Sequence, residues 1–201
     1  MKPQLVLLAG PDGAGKSTFY DHLLRTLRLP FLNADVVEAR TGIPSVEAAR
    51  ILDAMRDQRI ARGVGFITET VFSDPVGAKL DMLRKAVDAG FDVTLIYVGI
   101  EVQLCAMRVD QRVADGGHDV PRDRIASRFA RSLKNLRQAI TFVPRVKVYD
   151  NSSVEEPFRL LATYEAGRRI HLASRPLPRW FRALARSPAT RRGARARGKV
   201  R

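Results

Sequence analysis

The eight residues Gly10-Pro11-Asp12-Gly13-Ala14-Gly15-Lys16-Ser17 constrain this chain more than any other stretch. They follow the apolar run Leu5-Val6-Leu7-Leu8-Ala9, which reads as a buried strand. They precede a segment, about Ser17 to Leu29, that reads as a helix. A glycine-rich turn in that setting is built to hold a polyphosphate. Its glycines let successive backbone N–H groups point inward without Cβ clashes. Lys16 brings a point charge to β- and γ-phosphate oxygens, and the Ser17 hydroxyl is a ligand for Mg2+. The positive end of the following helix faces the same anion.

The rest of the chain alternates strands and helices. Pro30 breaks the first helix, and Phe31-Leu32-Asn33 reads as a short strand leading to Asp35. A helix is expected over Ser45 to Ala61 with Ser45 as its cap, then a strand at Phe66-Ile67-Thr68 ending in Glu69-Thr70. Pro75 to Ala89 is helical, Phe91 to Val98 is a strand, and helices follow from Glu101 and from Arg122 to about Ile140. Val146 to Tyr149 is the last core strand. Residues 158–165 and 168–172 fit either a hairpin or a helix. Strands and helices in this order predict an α/β fold, a P-loop NTPase of the kinase-like kind, with a parallel sheet covered on both faces. Ligands in such sheets sit at the carboxyl ends of the strands, so Asp35, Glu69 and Thr70 are expected on the rim that carries Lys16.

Composition bounds the remaining questions. At 201 residues the chain supports one good core. The expected division is a kinase-like domain over 1–174, with a lid at about 101–140, and a basic, disordered tail over 175–201, within which Trp180 to Ala185 reads as a short basic amphipathic helix. Of the net charge of +14, that tail carries +10 from nine Arg and one Lys, and the body only +4. The total therefore does not argue for nucleic acid, and no aromatic residue follows Phe181 to stack on bases. A single cysteine, Cys105, excludes an internal disulfide and reads as a core thiol in a cytoplasmic setting. The N-terminus does not read as a signal peptide, and no stretch approaches a membrane span.

Several residues then carry candidate chemistry. Asp35 fits a base that accepts the proton of a substrate hydroxyl facing the γ-phosphate; a helix cap is the alternative. Glu69 and Thr70 fit contacts to substrate hydroxyls, or Glu69 a magnesium-bound water; capping the next helix is equally open. The strand ending Val98-Gly99 lacks the Asp that motor and switch NTPases use for Mg2+, which turns the reading toward small-molecule kinases. Arg108, Arg112, Arg122, Arg124, Arg128, Arg131 and Arg137 crowd 30 residues. Planar guanidinium groups suit a transferring phosphoryl, and an arginine-bearing lid would exclude water. Gly116-Gly117 reads as a hinge in that lid, and His118 as a further phosphate contact.

Four stretches together resemble the zeta-toxin family of P-loop kinases: GPDGAGKST, FLNAD, ITETVFS, and RVDQRVADGGHDVPRDRIASRFARSLKNL at 108–136. The resemblance covers roughly residues 4 to 151 and implies ATP-dependent phosphorylation of a small-molecule hydroxyl. In that family's toxins the acceptor is the 3′-hydroxyl of UDP-N-acetylglucosamine. Carried over by position, Gly10, Pro11, Asp12, Gly13, Ala14, Gly15, Lys16, Ser17 and Thr18 hold ATP, with Mg2+ on Ser17. Asp35 is the base, Glu69 and Thr70 contact substrate, and Arg108 or Arg112 bind phosphate, with Arg128 and Arg131 as runners-up. His118 stands about where the toxins place a second arginine, a departure that alters the lid. The resemblance also raises an antitoxin protein as a partner. Two other readings compete: a kinase of a different metabolite or nucleotide, and a nucleotide-gated binding protein that works through its basic tail.

Overall fold

A computed structural model describes residues 2–114 and 122–185. Among them seven strands form one sheet: β1 (Gln4–Ala9), β2 (Phe31–Leu32), β3 (Phe66–Thr70), β4 (Asp92–Gly99), β5 (Arg145–Asp150), β6 (Arg159–Glu165) and β7 (Arg168–Leu172). Their order is β2-β3-β1-β4-β5-β6-β7. The first five run parallel, and β6 and β7 extend the sheet antiparallel. β1 lies in the interior of the sheet with both faces covered. Leu5 to Ala9 are all buried, which is why the sequence shows a continuous apolar run rather than alternation. Its register places Leu8 opposite Glu69 and Ala9 opposite Thr70 on β3. Strand ends, and the loops that follow them, therefore meet on one rim.

The helices are α1 (Lys16–Phe19), α2 (Ala34–Thr41), α3 (Ser45–Ala61), α4 (Ala78–Asp88), α5 (Val102–Ala114), α6 (Arg122–Ile140) and α7 (Arg179–Ala185). The expected helix from Ser17 to Leu29 is regular only through α1. It widens into a π turn over Tyr20–Leu24, tightens to a 3-10 turn over Arg25–Leu27, and stops at Arg28 in the left-handed region, φ 53°. The widened turn coincides with Tyr20 stacking flat on Phe31, ring centroids 3.7 Å apart. α2 was not expected at all: its Val36-Val37 pair gives no helical spacing, and Gly42 separates it from α3. The cap of α3 is Pro44, with Ser45 the first helical residue. α4 begins three residues later than Pro75, at a left-handed Gly77.

Residues 159–172 form a hairpin, which settles the alternative left open by their sequence. Ala166 (φ 45°) and Gly167 (φ 76°) both take the left-handed conformation that a two-residue turn between twisted strands requires. The boundary expected at residue 175 falls inside the folded body. α7 buries Trp180, Phe181 and Leu184 against the core, and the Trp180 Nε1 donates to Asp150 Oδ1 at 2.7 Å. Gly99, at the end of β4, leaves the room that the Trp180 ring fills; a Cβ there would collide with it. The basic stretch 186–201 lies outside the described residues. No helix among those described is long and apolar enough to cross a membrane.

Candidate active site

The phosphate loop leaves β1 and closes on itself through Ala14 N donating to Pro11 O at 3.3 Å. Gly15 sits at φ 84°, and a Cβ there would stand 2.6 Å from Asn151 Nδ2. That amide in turn donates to Ala14 O at 3.0 Å, so a loop after β5 grips the turn from outside. Arg108 adds a second grip from α5, donating to Gly13 O at 3.4 Å and Asn151 O at 3.0 Å. Phe158 closes the wall, edge-on to Phe19 at 5.1 Å. The backbone of the turn is thereby held from outside by Asn151 and Arg108, in the arrangement that lets a glycine-rich turn cradle a polyphosphate. Ser17 and Thr18 are exposed at the start of α1.

Lys16 is buried. Its Nζ donates to Pro11 O at 3.2 Å and lies 3.6 Å from Glu69 Oε1. The other carboxylate oxygen of Glu69 accepts from Asn33 Nδ2 at 3.1 Å. β1, β2 and β3 thus bring Lys16, Asn33 and Glu69 to one point, and Val37 N bonding Asn33 O starts α2 there. Asp35 falls in the first turn of that helix, on the same rim. The side chains of Asp35 and Arg112, and His118 altogether, lie outside what the structure describes. Thr70 turns its hydroxyl to its own loop, accepting from Phe72 N at 3.1 Å.

Behind Glu69 stands a cation that sequence reading passed over. Arg56, on α3, is 4% exposed; its guanidinium donates to Thr68 Oγ1 at 2.8 Å, Glu69 O at 3.2 Å and Asp53 Oδ1 at 2.6 Å. Burial pulls the Arg56 guanidinium below its ordinary value, against the opposing pull of Asp53. Burial pushes the Asp53 carboxyl up, but Lys79 and Arg56 beside it win and hold it below the usual range. The pair fixes the end of β3 from below.

The loop after β3 is held from above by α6. Ser132 Oγ donates to Val71 O at 2.9 Å, and Asn135 Nδ2 to Phe72 O at 3.0 Å and Asp74 O at 3.1 Å. Arg131 Nε donates to Ser73 O at 2.9 Å. Four successive carbonyls are therefore bound by one helix face. Phe72, fully buried, adopts φ 61°, a conformation a bulky residue keeps only when its surroundings impose it. Both Asp74 carboxylate oxygens are buried with no hydrogen-bond partner among the described residues. Arg128, one turn before Ser132, lies 3.4 Å from Asp12 Oδ2 on the phosphate loop.

The structure thus brings Arg108 and Arg128 to the phosphate loop and sets Arg131 on the loop after β3. Cys105 is buried beneath, its thiol pushed up to about 12, first by burial and then by the charge of Asp12. Asn33, Asn151, Arg56, Ser132 and Asn135 went unassigned in the sequence. For Asn33 and Asn151 the signal existed, since both directly follow strands on the ligand-bearing rim. The other three lie mid-helix, where nothing in the spacing marks them.

A family model described as an AAA domain, AAA_33, matches residues 5–137, about two thirds of the chain. A shikimate kinase of Pseudomonas fluorescens (strain Pf0-1) is 33% identical over 105 residues, 49% of this chain and 61% of that protein. The chain spans about three fifths of that relative. Among solved structures, the AvrRxo1-ORF1:-ORF2 complex with ATP superposes with a TM-score of 0.62 at 15% identity, covering 81% of this chain and 58% of that one. The PezAT chromosomal toxin–antitoxin system of Streptococcus pneumoniae gives a TM-score of 0.58 at 16% identity, covering 74% and 68%. These likenesses agree with a P-loop, kinase-like α/β fold.

Proposed function

The chain belongs to the AAA_33 family of AAA domains, and from that premise we propose that it is an ATP-dependent kinase of a hydroxyl on a small metabolite. The observation that carries the reading is Lys16: a buried ammonium at the end of the glycine-rich turn, held 3.6 Å from the Glu69 carboxylate. A lysine kept there is poised to exchange its carboxylate contact for a phosphate oxygen. The shikimate kinase relative, and the ATP in the AvrRxo1 complex, support the same class of reaction.

In this reading the loop amides and Lys16 bind the triphosphate, with Thr18 beside them, and Arg108 and Arg128 supply guanidinium charge at its flank. The exposed Ser17 hydroxyl and the Glu69 carboxylate are hard oxygen donors of the kind Mg2+ takes. When bound, Mg2+ would neutralise charge between the β- and γ-phosphates. Asp35 accepts the acceptor hydroxyl's proton as its oxygen takes the γ-phosphoryl, and ADP leaves. Arg112 and His118 are further phosphate contacts proposed on the resemblance alone. Glu69, with Asn33 fixing its rotamer, and Thr70 define the acceptor side.

The acceptor proposed on the resemblance to zeta toxins is UDP-N-acetylglucosamine, and on the same ground an antitoxin is a proposed partner; the single Cys105 makes a reducing cytoplasm the proposed setting. ADP release measured across a panel of hydroxylated metabolites, shikimate, gluconate and UDP-N-acetylglucosamine among them, tests the reading. The expected result is turnover with one acceptor class well above the acceptor-free rate. Equal rates with every acceptor would refute it.

A further inference from the structure

On the α1 side of the sheet the cover is incomplete. Among the described residues, α1 with its irregular continuation, α5, and Ile125 and Phe129 of α6 pack with Val6, Leu8, Ile96 and Val98. Because the first helix winds into π and 3-10 turns and ends at Arg28, it leaves the lower halves of β4 and β5 open. A cavity of about 330 Å3 occupies that space, within the size range of small-ligand sites. Its apolar wall is formed by Val6, Ile96, Phe19 and Leu23. Leu23 and Leu27 on the irregular helix are 49% and 44% exposed, which is costly unless something covers them.

Beside these apolar residues the sheet face is charged. β5 alternates, burying Val146 and Val148 on the far face and turning Arg145, Lys147 and Tyr149 toward the cavity. Arg145 is matched by Asp92, 3.6 Å away, and donates to Thr94 Oγ1 at 3.3 Å. Lys147 is half-buried, and its side chain has neither ion pair nor hydrogen bond among the described residues. The cavity therefore presents an apolar wall and one uncompensated positive charge. We infer that it is a second ligand site, separate from the phosphate loop, for a small organic anion that carries one acidic group on an apolar body. The apolar body covers Leu23 and Leu27, and the acidic group meets Lys147. Phe19 separates the cavity from Phe158 and the phosphate loop, so the two sites share a wall without sharing space. The inference does not depend on the kinase reading.

The probes are 8-anilinonaphthalene-1-sulfonate and N-phenyl-1-naphthylamine, the same ring skeleton with and without the anion. Fluorescence titration of the full chain should show the sulfonate binding at one site about tenfold more tightly than the neutral probe, the scale of a contact to a charged group. Lys147→Met should close that gap and Lys147→Arg should restore it, each variant retaining cooperative thermal unfolding. Leu23→Asp should weaken both probes. Saturating Mg-ATP should leave the sulfonate bound. An unchanged gap in Lys147→Met, or displacement of the sulfonate by ATP, overturns the inference. A chain that binds no nucleotide refutes the kinase reading, while the gap still decides this one.

Discussion

At Gly15 the geometry leaves little freedom. A side chain there meets both a left-handed backbone and the Asn151 amide. Gly15→Ala should abolish measurable nucleotide binding in a calorimetric titration, while Asn151→Ala, which loosens the same wall, should weaken it by about tenfold. Glu69→Gln separates two roles of one carboxylate. It removes the charge that Lys16 rests against, so nucleotide in the absence of metal should bind at least as tightly. Phosphoryl transfer should nevertheless fall by about a hundredfold or more, the scale of a lost electrostatic contact at a reacting centre. Cys105 gives a pH signature. Its thiol is raised from 9.0 to about 12, so the folded chain holds a proton that the unfolded chain releases first. Stability from this group is whole below pH 9 and declines as pH rises toward 12. Urea unfolding of Cys105→Ala should show a shallower alkaline loss than the parent.

At the scale of elements, α6 ties the phosphate loop to the loop after β3. Arg128 reaches Asp12, and one turn on, Arg131, Ser132 and Asn135 hold the carbonyls of Val71 to Asp74. Asn135→Ala strands two of those carbonyls and should cost about 1–3 kcal/mol, read as a drop of several degrees in thermal midpoint. If the loop presents the acceptor, the variant should also lose acceptor affinity before ATP affinity. This coupling was invisible in the sequence because it runs through side chain to backbone contacts between segments 60 residues apart. The elements themselves were legible wherever local chemistry agreed with tertiary packing. β1, β4 and the helices α3 to α6 fall close to their expected places for that reason. α2 was missed because its residues carry no periodic apolar face, and the first helix was read as regular because its sequence gives no sign of the π turn. The phosphate loop was fully legible, since its signal is backbone geometry written as glycine. The roles of Arg56 and Asn135 were not, since they depend on which strand end lies above them.

For the whole molecule, the C-terminal boundary matters most. Sequence charge placed the tail from residue 175, yet Trp180, Phe181 and Leu184 belong to the core, and Trp180 closes over Gly99 and Asp150. A chain ending after residue 178 should lose more than about 5 kcal/mol, given roughly 1.5–3 kcal/mol for each large buried side chain, and should fail to fold cooperatively. A chain ending after Ala185 should keep the parent thermal midpoint. Circular dichroism melts of the two distinguish a structural α7 from a dispensable one.

In the proposed reaction this rim transfers a phosphoryl group with Asp35 as its base. The most direct measurement pairs ATP affinity with acceptor-dependent ADP release in the parent and in Asp35→Asn. The expected result is ATP affinity within about threefold of the parent and turnover lower by about a thousandfold, the scale of a lost general base. An Asp35→Asn variant that releases ADP at the parent rate would contradict it.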